Sequence, residues 1–86
     1  MLQPKLLRVI PQDNYHLELH YETGERKLFN AAPYICGSWY GELRDPSYFR
    51  AVRLTDDGEG IEWPHGQDLA PHELYELSTP IETLKG

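Results

Sequence analysis

The sequence contains a single cysteine, Cys36, among its 86 residues. An internal disulfide and a thiolate-based structural zinc site within one chain are both excluded, so side-chain packing must stabilise the fold. No run of apolar residues approaches the roughly 18–20 that a membrane-spanning helix requires. Residues 1–5 contain no apolar signal-peptide core, because Pro4 and Lys5 interrupt it. We therefore expect a cytoplasmic protein that does not associate with membranes.

Basic residues are scarce in the second half of the chain. Residues 54–86 carry eight acidic side chains and one basic one, a net charge of −7, whereas residues 1–53 carry seven basic and six acidic side chains. The total charge of −6 repels phosphate backbones. Direct nucleic-acid binding is therefore not expected, unless Arg44, Arg50 and Arg53 form a local basic patch. The acidic surface is typical of one that keeps a protein soluble.

The chain also lacks internal repeats and any linker rich in glycine, serine or proline. A chain of this length buries only roughly 60–65% of its unfolded surface, so two separate cores would each be too small. We predict one domain over residues 1–86, with an ordered core over roughly residues 4–77. The tail, residues 78–86, is expected to fray, because Pro80 and Gly86 bracket few apolar side chains.

The clearest periodic pattern lies in residues 14–21, where apolar and polar side chains alternate strictly. Period-two alternation predicts a half-buried strand with Leu17 and Leu19 on the core face. Thr23-Gly24 then predicts a turn, and residues 26–29 run back as the partner strand. With residues 5–11 as a first strand, the sequence predicts a three-stranded antiparallel meander over residues 5–29.

Two short helices are predicted between the meander and a second hairpin. Ser38 is a candidate N-cap for a helix through Leu43, on which Trp39 and Leu43 would share a face. Asp45-Pro46 is a stronger start signal, because aspartate is favoured at the N-cap and proline at the first helical position. The second hairpin pairs residues 51–55 with residues 61–63 across a turn rich in aspartate and glycine.

The turn Trp63-Pro64-His65-Gly66-Gln67-Asp68 follows this hairpin and is the best-marked segment of the chain. Proline at its second position and glycine at its fourth are typical of a type I turn, and the Asp68 carboxylate is suited to accept from nearby amides. Pro71 then opens a short helix through Leu77. The element order predicts the α+β class, with an antiparallel sheet, short helices, a second β-hairpin and a C-terminal helix around one core.

Several of these segments together resemble the bacterial family called domain of unknown function 2442. The resemblance rests on Gly24-Glu25, on Leu43-Arg44-Asp45-Pro46 followed by Phe49, and on Val52 and Ile61. It rests most specifically on the W-P-x-G-x-D-L pattern of residues 63–69, followed by Pro71 and by Leu74-Tyr75. It covers most of residues 4–77.

The resemblance implies the fold and no established activity. Some relatives of this family carry a C-terminal helix-turn-helix, and some lie in gene pairs suggestive of toxin–antitoxin modules. The matched region ends about ten residues before Gly86, so we expect no DNA-reading domain in this chain. The resemblance also implies that this chain could be one half of a toxin–antitoxin-like gene pair.

Two groups of residues are candidates for acid–base or metal chemistry. His16, Glu18 and His20 follow one face of the predicted strand. Neighbours two residues apart lie about 6.6 Å from one another, so His16 and Glu18, or Glu18 and His20, could share a metal ion. Such a site still needs a third ligand from elsewhere. His65 and Asp68 form the other pair, in which a carboxylate would orient a histidine as a base. A solvated strand face and an exposed turn are the structural alternatives.

The segment Ile35-Cys36-Gly37-Ser38-Trp39 is faintly similar to a cysteine-protease signature, but Trp39 stands where the nucleophile belongs. The chain is also too short for the partner residues of that family. We expect Cys36 to be a small buried side chain. The sequence predicts no catalytic set, no cofactor and no metal ion.

The second half of the chain is rich in aromatic residues, and these are expected to lie mainly in the core. If several share an exposed patch, the pattern favours a protein-binding surface, where tryptophan, tyrosine and arginine concentrate binding energy. That surface would comprise Trp39, Tyr40, Arg44, Tyr48, Arg50 and Arg53. We therefore predict a non-enzymatic interaction or regulatory module that forms a homodimer or binds a small protein partner. The alternative is a small metal-assisted or acid–base enzyme that uses His65 and Asp68, or His16 and Glu18.

Overall fold

The computed structural model of the protein describes residues 3–81, which form antiparallel sheets and short helices. The strands are β1 (Leu6–Gln12), β2 (His16–Tyr21), β3 (Arg26–Asn30), β4 (Arg53–Leu54), β5 (Ile61–Glu62), β6 (Asp68–Leu69) and β7 (Thr79–Pro80). The helices are α1 (Gly37–Tyr40), α2 (Pro46–Phe49) and α3 (Pro71–Leu77), and 3₁₀ turns span Asp13–Tyr15, Ala32–Tyr34 and Gly41–Arg44. The α+β class predicted from the sequence is confirmed. None of the helices in residues 3–81 has the length and apolar character needed to cross a membrane.

The first sheet contains the predicted meander and has the strand order β1-β2-β3-β7. In β2, Leu17, Leu19 and Tyr21 are buried, while His16 and the other polar residues of the strand lie on the opposite face. The alternation in the sequence therefore reports the two faces of this strand correctly. The β2–β3 hairpin closes through Gly24, whose φ of 94° is in the left-handed region that glycine favours.

The strand β2 begins later than the sequence predicted. Asn14 and Tyr15 both have φ of 61°, so they form a left-handed turn instead of extending the strand. Tyr15 nevertheless keeps an apolar environment, because its ring meets Phe49 edge-on at a centroid distance of 5.3 Å. Its carbonyl accepts a hydrogen bond from the Ala31 backbone N–H at 2.9 Å. Tertiary contacts thus hold a backbone conformation that alternation could not indicate.

Both outer strands of the first sheet contain proline. Pro11 lies opposite Leu17 in β1, and Pro80 lies opposite Lys27 in β7. The β1–β2 register also shifts between Leu6 and Arg8, which marks a bulge. Proline removes a backbone donor and a bulge twists the strand, so both features discourage the addition of another strand at these edges.

The predicted second hairpin is confirmed as β4–β5, and β6 adds a third strand beside β5. The turn between β5 and β6 has the predicted reversal, because the Gly66 N–H donates to the Trp63 carbonyl at 2.9 Å. Gly66 has a φ of 107°, which a residue with a side chain rarely adopts. The two-residue strands β6 and β7 were not predicted, because they are too short to show alternation.

The helical segment before the second sheet confirms one prediction and corrects another. Asp45 caps α2 as predicted, since its Oδ1 accepts from the Ser47 N–H at 3.0 Å. The predicted helix from Ser38 to Leu43 is instead α1 followed by a 3₁₀ turn, and its N-cap is Cys36. Trp39 is 51% exposed whereas Leu43 is 1% exposed, so these two residues do not share a face.

The buried residues of both sheets form one continuous apolar cluster. Aromatic contacts bridge the sheets: Phe49 of α2 lies between Tyr15 and Trp63, and its centroid is 5.9 Å from that of Trp63. The Trp63 indole N–H donates to the Phe49 carbonyl at 2.9 Å, which pairs a buried polar atom. The Leu6 N–H also donates to the Gly58 carbonyl and joins β1 to the β4–β5 turn.

Lys27 attaches α3 to the first sheet. Its side chain is buried on the core face of β3, and Nζ donates to the Tyr75 carbonyl near the end of α3. The same ammonium lies 3.9 Å from the centroid of the Tyr75 ring, where the ring face attracts a cation. The sheet also continues past the predicted core boundary at residue 77, through β7. Residues 82–86 of the predicted tail lie outside the described residues.

Candidate functional site

Gln67 is the polar centre of the turn between β5 and β6. Its side chain is fully buried, and its amide makes three hydrogen bonds. Nε2 donates to the Trp39 carbonyl at 3.0 Å and to Glu42 Oε1 at 2.9 Å, and Oε1 accepts from the Tyr48 hydroxyl at 2.7 Å. One side chain therefore joins the turn to α1, to the following 3₁₀ turn and to α2. The sequence did not single out this residue.

His65 is bound by Glu42 and not by Asp68. Its Nδ1 lies 2.7 Å from Glu42 Oε2, and its backbone N–H donates to the Tyr48 hydroxyl at 2.8 Å. The hydrogen bonds from His65 and Gln67 lower the pKa of the Glu42 carboxyl. The carboxylate fixes the orientation of the imidazole, although the His65 side chain is 61% exposed.

Asp68 lies at the start of β6 and is exposed. Its backbone carbonyl accepts a hydrogen bond from the Tyr40 hydroxyl at 2.9 Å. The hydrogen bonds of the described residues include none to the Asp68 carboxylate, so the expected contact with nearby amides is not formed. His65 and Asp68 therefore do not form the predicted pair. The carboxylate beside His65 is that of Glu42, 23 positions earlier in the chain.

Trp39 is the large aromatic side chain that remains half in solvent. Its indole lies over Gly66, where a Cβ atom would be 3.7 Å from the nearest indole carbons. Tyr48 stacks obliquely on His65 at a centroid distance of 5.1 Å. These three aromatic rings, with Tyr40, surround the β5–β6 turn. We call this group, Trp39, Tyr40, Tyr48 and His65, the turn surface; Trp39 and His65 are exposed, and Tyr40 and Tyr48 are half-buried.

The three arginines of the predicted interaction surface each contact a different segment. Arg50 binds Asp13 at 3.1 Å, and Arg53 binds Glu62 at 2.8 Å. Arg44 donates to the Ile35 carbonyl at 3.3 Å. All three side chains are exposed.

The polar face of β2 forms its own hydrogen-bonded cluster around Glu18. This side chain is 12% exposed and pairs with His20 at 2.7 Å and with Arg26 at 2.9 Å. Gln12 donates to its other oxygen at 2.6 Å. The hydrogen bonds from His20 and Arg26 lower the pKa of Glu18. His16, the other predicted partner of Glu18, has its Nδ1 3.0 Å from the Asn14 carbonyl instead.

Metal-ligand residues are dispersed in the part of the chain that the structure describes. No group of three or more histidine, cysteine, aspartate or glutamate side chains converges within residues 3–81. Cys36 is exposed, which corrects the expectation that it is buried. It precedes Gly37, whose φ of 75° redirects the chain into α1.

Comparison with known families identifies the chain. A family model described as a protein of unknown function (DUF2442) matches residues 6–80. The chain belongs to the DUF2442 family. No curated protein and no solved structure shows significant similarity to it.

The DUF2442 match extends from β1 to β7 and includes both sheets and the turn surface. The family resemblance expected from the sequence is therefore confirmed, and the matched region extends to the end of β7. In this DUF2442 chain the turn from Trp63 to Asp68 is ordered by buried Gln67, while the family description assigns no activity to it.

Proposed function

We propose that this DUF2442 protein is a non-enzymatic interaction module and that the turn surface is its contact surface. The observation that carries the proposal is Trp39, whose indole is 51% exposed and lies over Gly66. A tryptophan offers a large apolar area together with a polar N–H, and this combination is typical of residues that dominate binding energy.

The backbone beneath Trp39 is already ordered before any partner arrives. Gln67 binds the Trp39 carbonyl, and Gly66 supports the indole from below. An ordered side chain loses less conformational entropy on binding than a mobile one. Covering the exposed half of the indole, about 100 Å², would contribute about 2–3 kcal/mol. This gain supports Trp39 as the central contact.

The sheet edges favour a side-chain contact over strand addition. Pro11 and Pro80 occupy the outer strands of the first sheet, where a partner strand would require free donors. Association through these edges is therefore disfavoured. The proposed partner is a second copy of the chain or a small protein encoded beside it, as in a toxin–antitoxin-like pair.

The test is a comparison of Trp39→Ala with Leu77→Ala. Leu77 is the matched control, because it is also a large exposed apolar residue, at 59%. Light scattering coupled to size exclusion, at high micromolar concentration, measures self-association. Co-expression with the product of the adjacent gene measures the heteromeric form. We expect Trp39→Ala to abolish the complex and Leu77→Ala to preserve it.

Both variants should remain folded, since each removes a side chain with much of its surface in solvent; far-UV circular dichroism checks this. A strictly monomeric protein that also forms no complex with the neighbouring product would contradict the proposal. Equal losses for Trp39→Ala and Leu77→Ala would remove the turn surface as the contact.

A further inference from the structure

A cleft of about 450 Å³ lies between the left-handed turn before β2 and helix α2. Tyr15, Pro46 and Phe49 form its apolar lining, which we call the floor. The volume lies within the range of small-molecule sites in proteins. None of its lining residues belongs to the turn surface, so this cleft has no part in the function proposed above. We call it the α2 cleft.

The rim of the α2 cleft is polar and carries one cation. Gln12 and Asn14 contribute amides, and Arg50 contributes a guanidinium at the end of α2. Arg50 Nη2 donates to Asp13 Oδ1 at 3.1 Å. Arginine carries five N–H donors in a planar fork, and this single contact occupies one of them. The remaining donors are suited to bidentate binding of a carboxylate.

Asp13, the partner of Arg50 in the structure, competes only weakly with a ligand for the guanidinium. The Asp13 side chain is 89% exposed and that of Arg50 is 54% exposed. Exposed ion pairs of this kind contribute little, because water screens both charges and two side chains must be ordered. An incoming carboxylate whose apolar body covers the floor would gain burial that Asp13 does not gain. It would therefore displace Asp13 from the guanidinium.

The wall of the α2 cleft is a conformation that the fold maintains at a cost. Asn14 and Tyr15 both lie in the left-handed region, and neither is glycine. The Tyr15 hydroxyl donates to the Arg44 carbonyl, and its ring is fixed against Phe49. Residues in such conformations cluster at ligand sites, where strain is held by surrounding contacts. The anchored turn keeps the apolar floor open beside Arg50.

We propose that the α2 cleft binds a carboxylate carried on an aromatic or aliphatic body. Arg50 would hold the carboxylate, and Tyr15 and Pro46 would contact the apolar body. Two sources supply this chemistry: a free small carboxylic acid, and the C-terminal residue of a peptide. The same recognition serves both, because each presents an unsubstituted carboxylate next to an apolar group.

Titration of ¹⁵N-labelled protein with 3-phenylpropanoate tests the proposal, and its neutral amide is the matched ligand control. The acid should shift amide signals in residues 12–15 and 47–50 with a Kd of about 1 mM. The amide should bind at least about fivefold more weakly, since it cannot form a charge-assisted bidentate pair. An N-acetylated dipeptide with a free C-terminal phenylalanine distinguishes the two sources. Tighter binding of the dipeptide than of 3-phenylpropanoate indicates a peptide C-terminus, and the reverse indicates a free small acid.

Two substitutions should change the affinity in opposite directions. Arg50→Gln should weaken binding of the acid at least about fivefold. Asp13→Asn should strengthen it about two- to threefold, because it removes the competing carboxylate. Arg53→Gln is the matched control: Arg53 has a similar exposed ion pair, with Glu62, outside the cleft. The affinity of the Arg53→Gln variant for the acid should equal that of the parent.

Equal binding of acid and amide would overturn the proposal. So would weaker binding by Asp13→Asn, since that result indicates a site for a cation. Absence of shifts in both segments up to about 10 mM acid would exclude the cleft as a site of useful affinity. Asp13 is an exposed side chain, so its substitution keeps the test valid even if Arg50→Gln proves less stable.

Discussion

Gln67 places a primary amide where solvent does not reach, and its three hydrogen bonds make that position favourable. Each bond pairs a group from a different element, from α1 through α2. A buried amide without these hydrogen bonds would lower the stability of the fold, and so would the same partners left unpaired by loss of the amide. The residue therefore couples the stability of the turn to the geometry of Trp39.

Replacement of Gln67 by alanine should destabilise the protein by about 2–3 kcal/mol, because it leaves buried polar groups unpaired and opens a cavity. For a domain of this size that loss corresponds to a fall of about 10–20 °C in Tm. Thermal unfolding followed by circular dichroism measures it. Gln12→Ala is the matched control and should cost less than about 1 kcal/mol, since the Gln12 side chain is exposed. Similar Tm values for the two variants would show that the Gln67 network is not important for stability.

The partner of His65 illustrates what residue patterns can and cannot indicate. Asp68 was the obvious candidate because it lies three positions away in the turn. Glu42 reaches the ring instead, because Gln67 brings the 3₁₀ turn against the β5–β6 turn. A contact across 23 residues leaves no periodic signal in a single sequence. Burial of a polar residue such as Gln67 leaves none either, since residue type favours exposure.

Elements were predictable where alternation or turn chemistry extends over several residues. The meander, the second hairpin and the Asp45 cap each carry such a local signal. The strands β6 and β7 do not, because two residues cannot alternate and tertiary contacts define their pairing. The left-handed turn at Asn14 interrupts an alternating pattern that is otherwise complete, so local propensity alone extends the strand too far.

Pro11 should keep β1 from pairing with another molecule. Its ring removes the backbone donor that an added strand would use. Pro11→Val restores the donor and raises β propensity, so we expect concentration-dependent association by static light scattering. Gln12→Val is the control, since it raises β propensity at the next position without adding a donor. If both variants stay monomeric at the concentrations where the parent is monomeric, proline is not what protects this edge.

At the scale of the whole molecule, the aromatic contacts from Tyr15 through Phe49 to Trp63 join the sheets. We propose that residues 1–86 form one domain, in which the sheets unfold together. In a Trp39→Phe variant, tryptophan fluorescence reports Trp63 alone. Its midpoint in urea should then coincide with that of far-UV circular dichroism. Separate midpoints would show that the two sheets are independent units.

The distribution of carboxylates predicts how stability depends on pH. Within residues 3–81, four carboxyl groups have a lowered pKa: Glu18, Glu25, Glu42 and Asp57. Glu18 is the most enclosed of them, and the hydrogen bond from His20 contributes most to lowering the pKa of its carboxyl. A pKa that is lower in the folded state stabilises the protein above the unfolded pKa, about 4.3, and this contribution is lost as pH falls through the folded pKa. Stability should therefore decrease below about pH 5.

Glu18→Gln removes one part of this dependence. Urea unfolding between pH 5.5 and pH 3 should show a smaller loss of stability for this variant than for the parent, because one group with a lowered pKa no longer titrates. Glu76→Gln is the control, since Glu76 is exposed near the end of α3. The same slope for Glu18→Gln and the parent would mean that the Glu18 cluster forms equally in the unfolded chain.

The hydrogen bond from Gln67 to Trp39 spans 28 positions of the chain, and that to Glu42 spans 25. The hairpins of the first sheet are local and can form early, whereas these contacts require a long loop to close. During synthesis, Trp39 leaves the ribosome well before the turn that secures it. A partner that needs the ordered indole would thus bind the completed molecule and ignore the nascent chain. The order of folding would itself determine when binding begins.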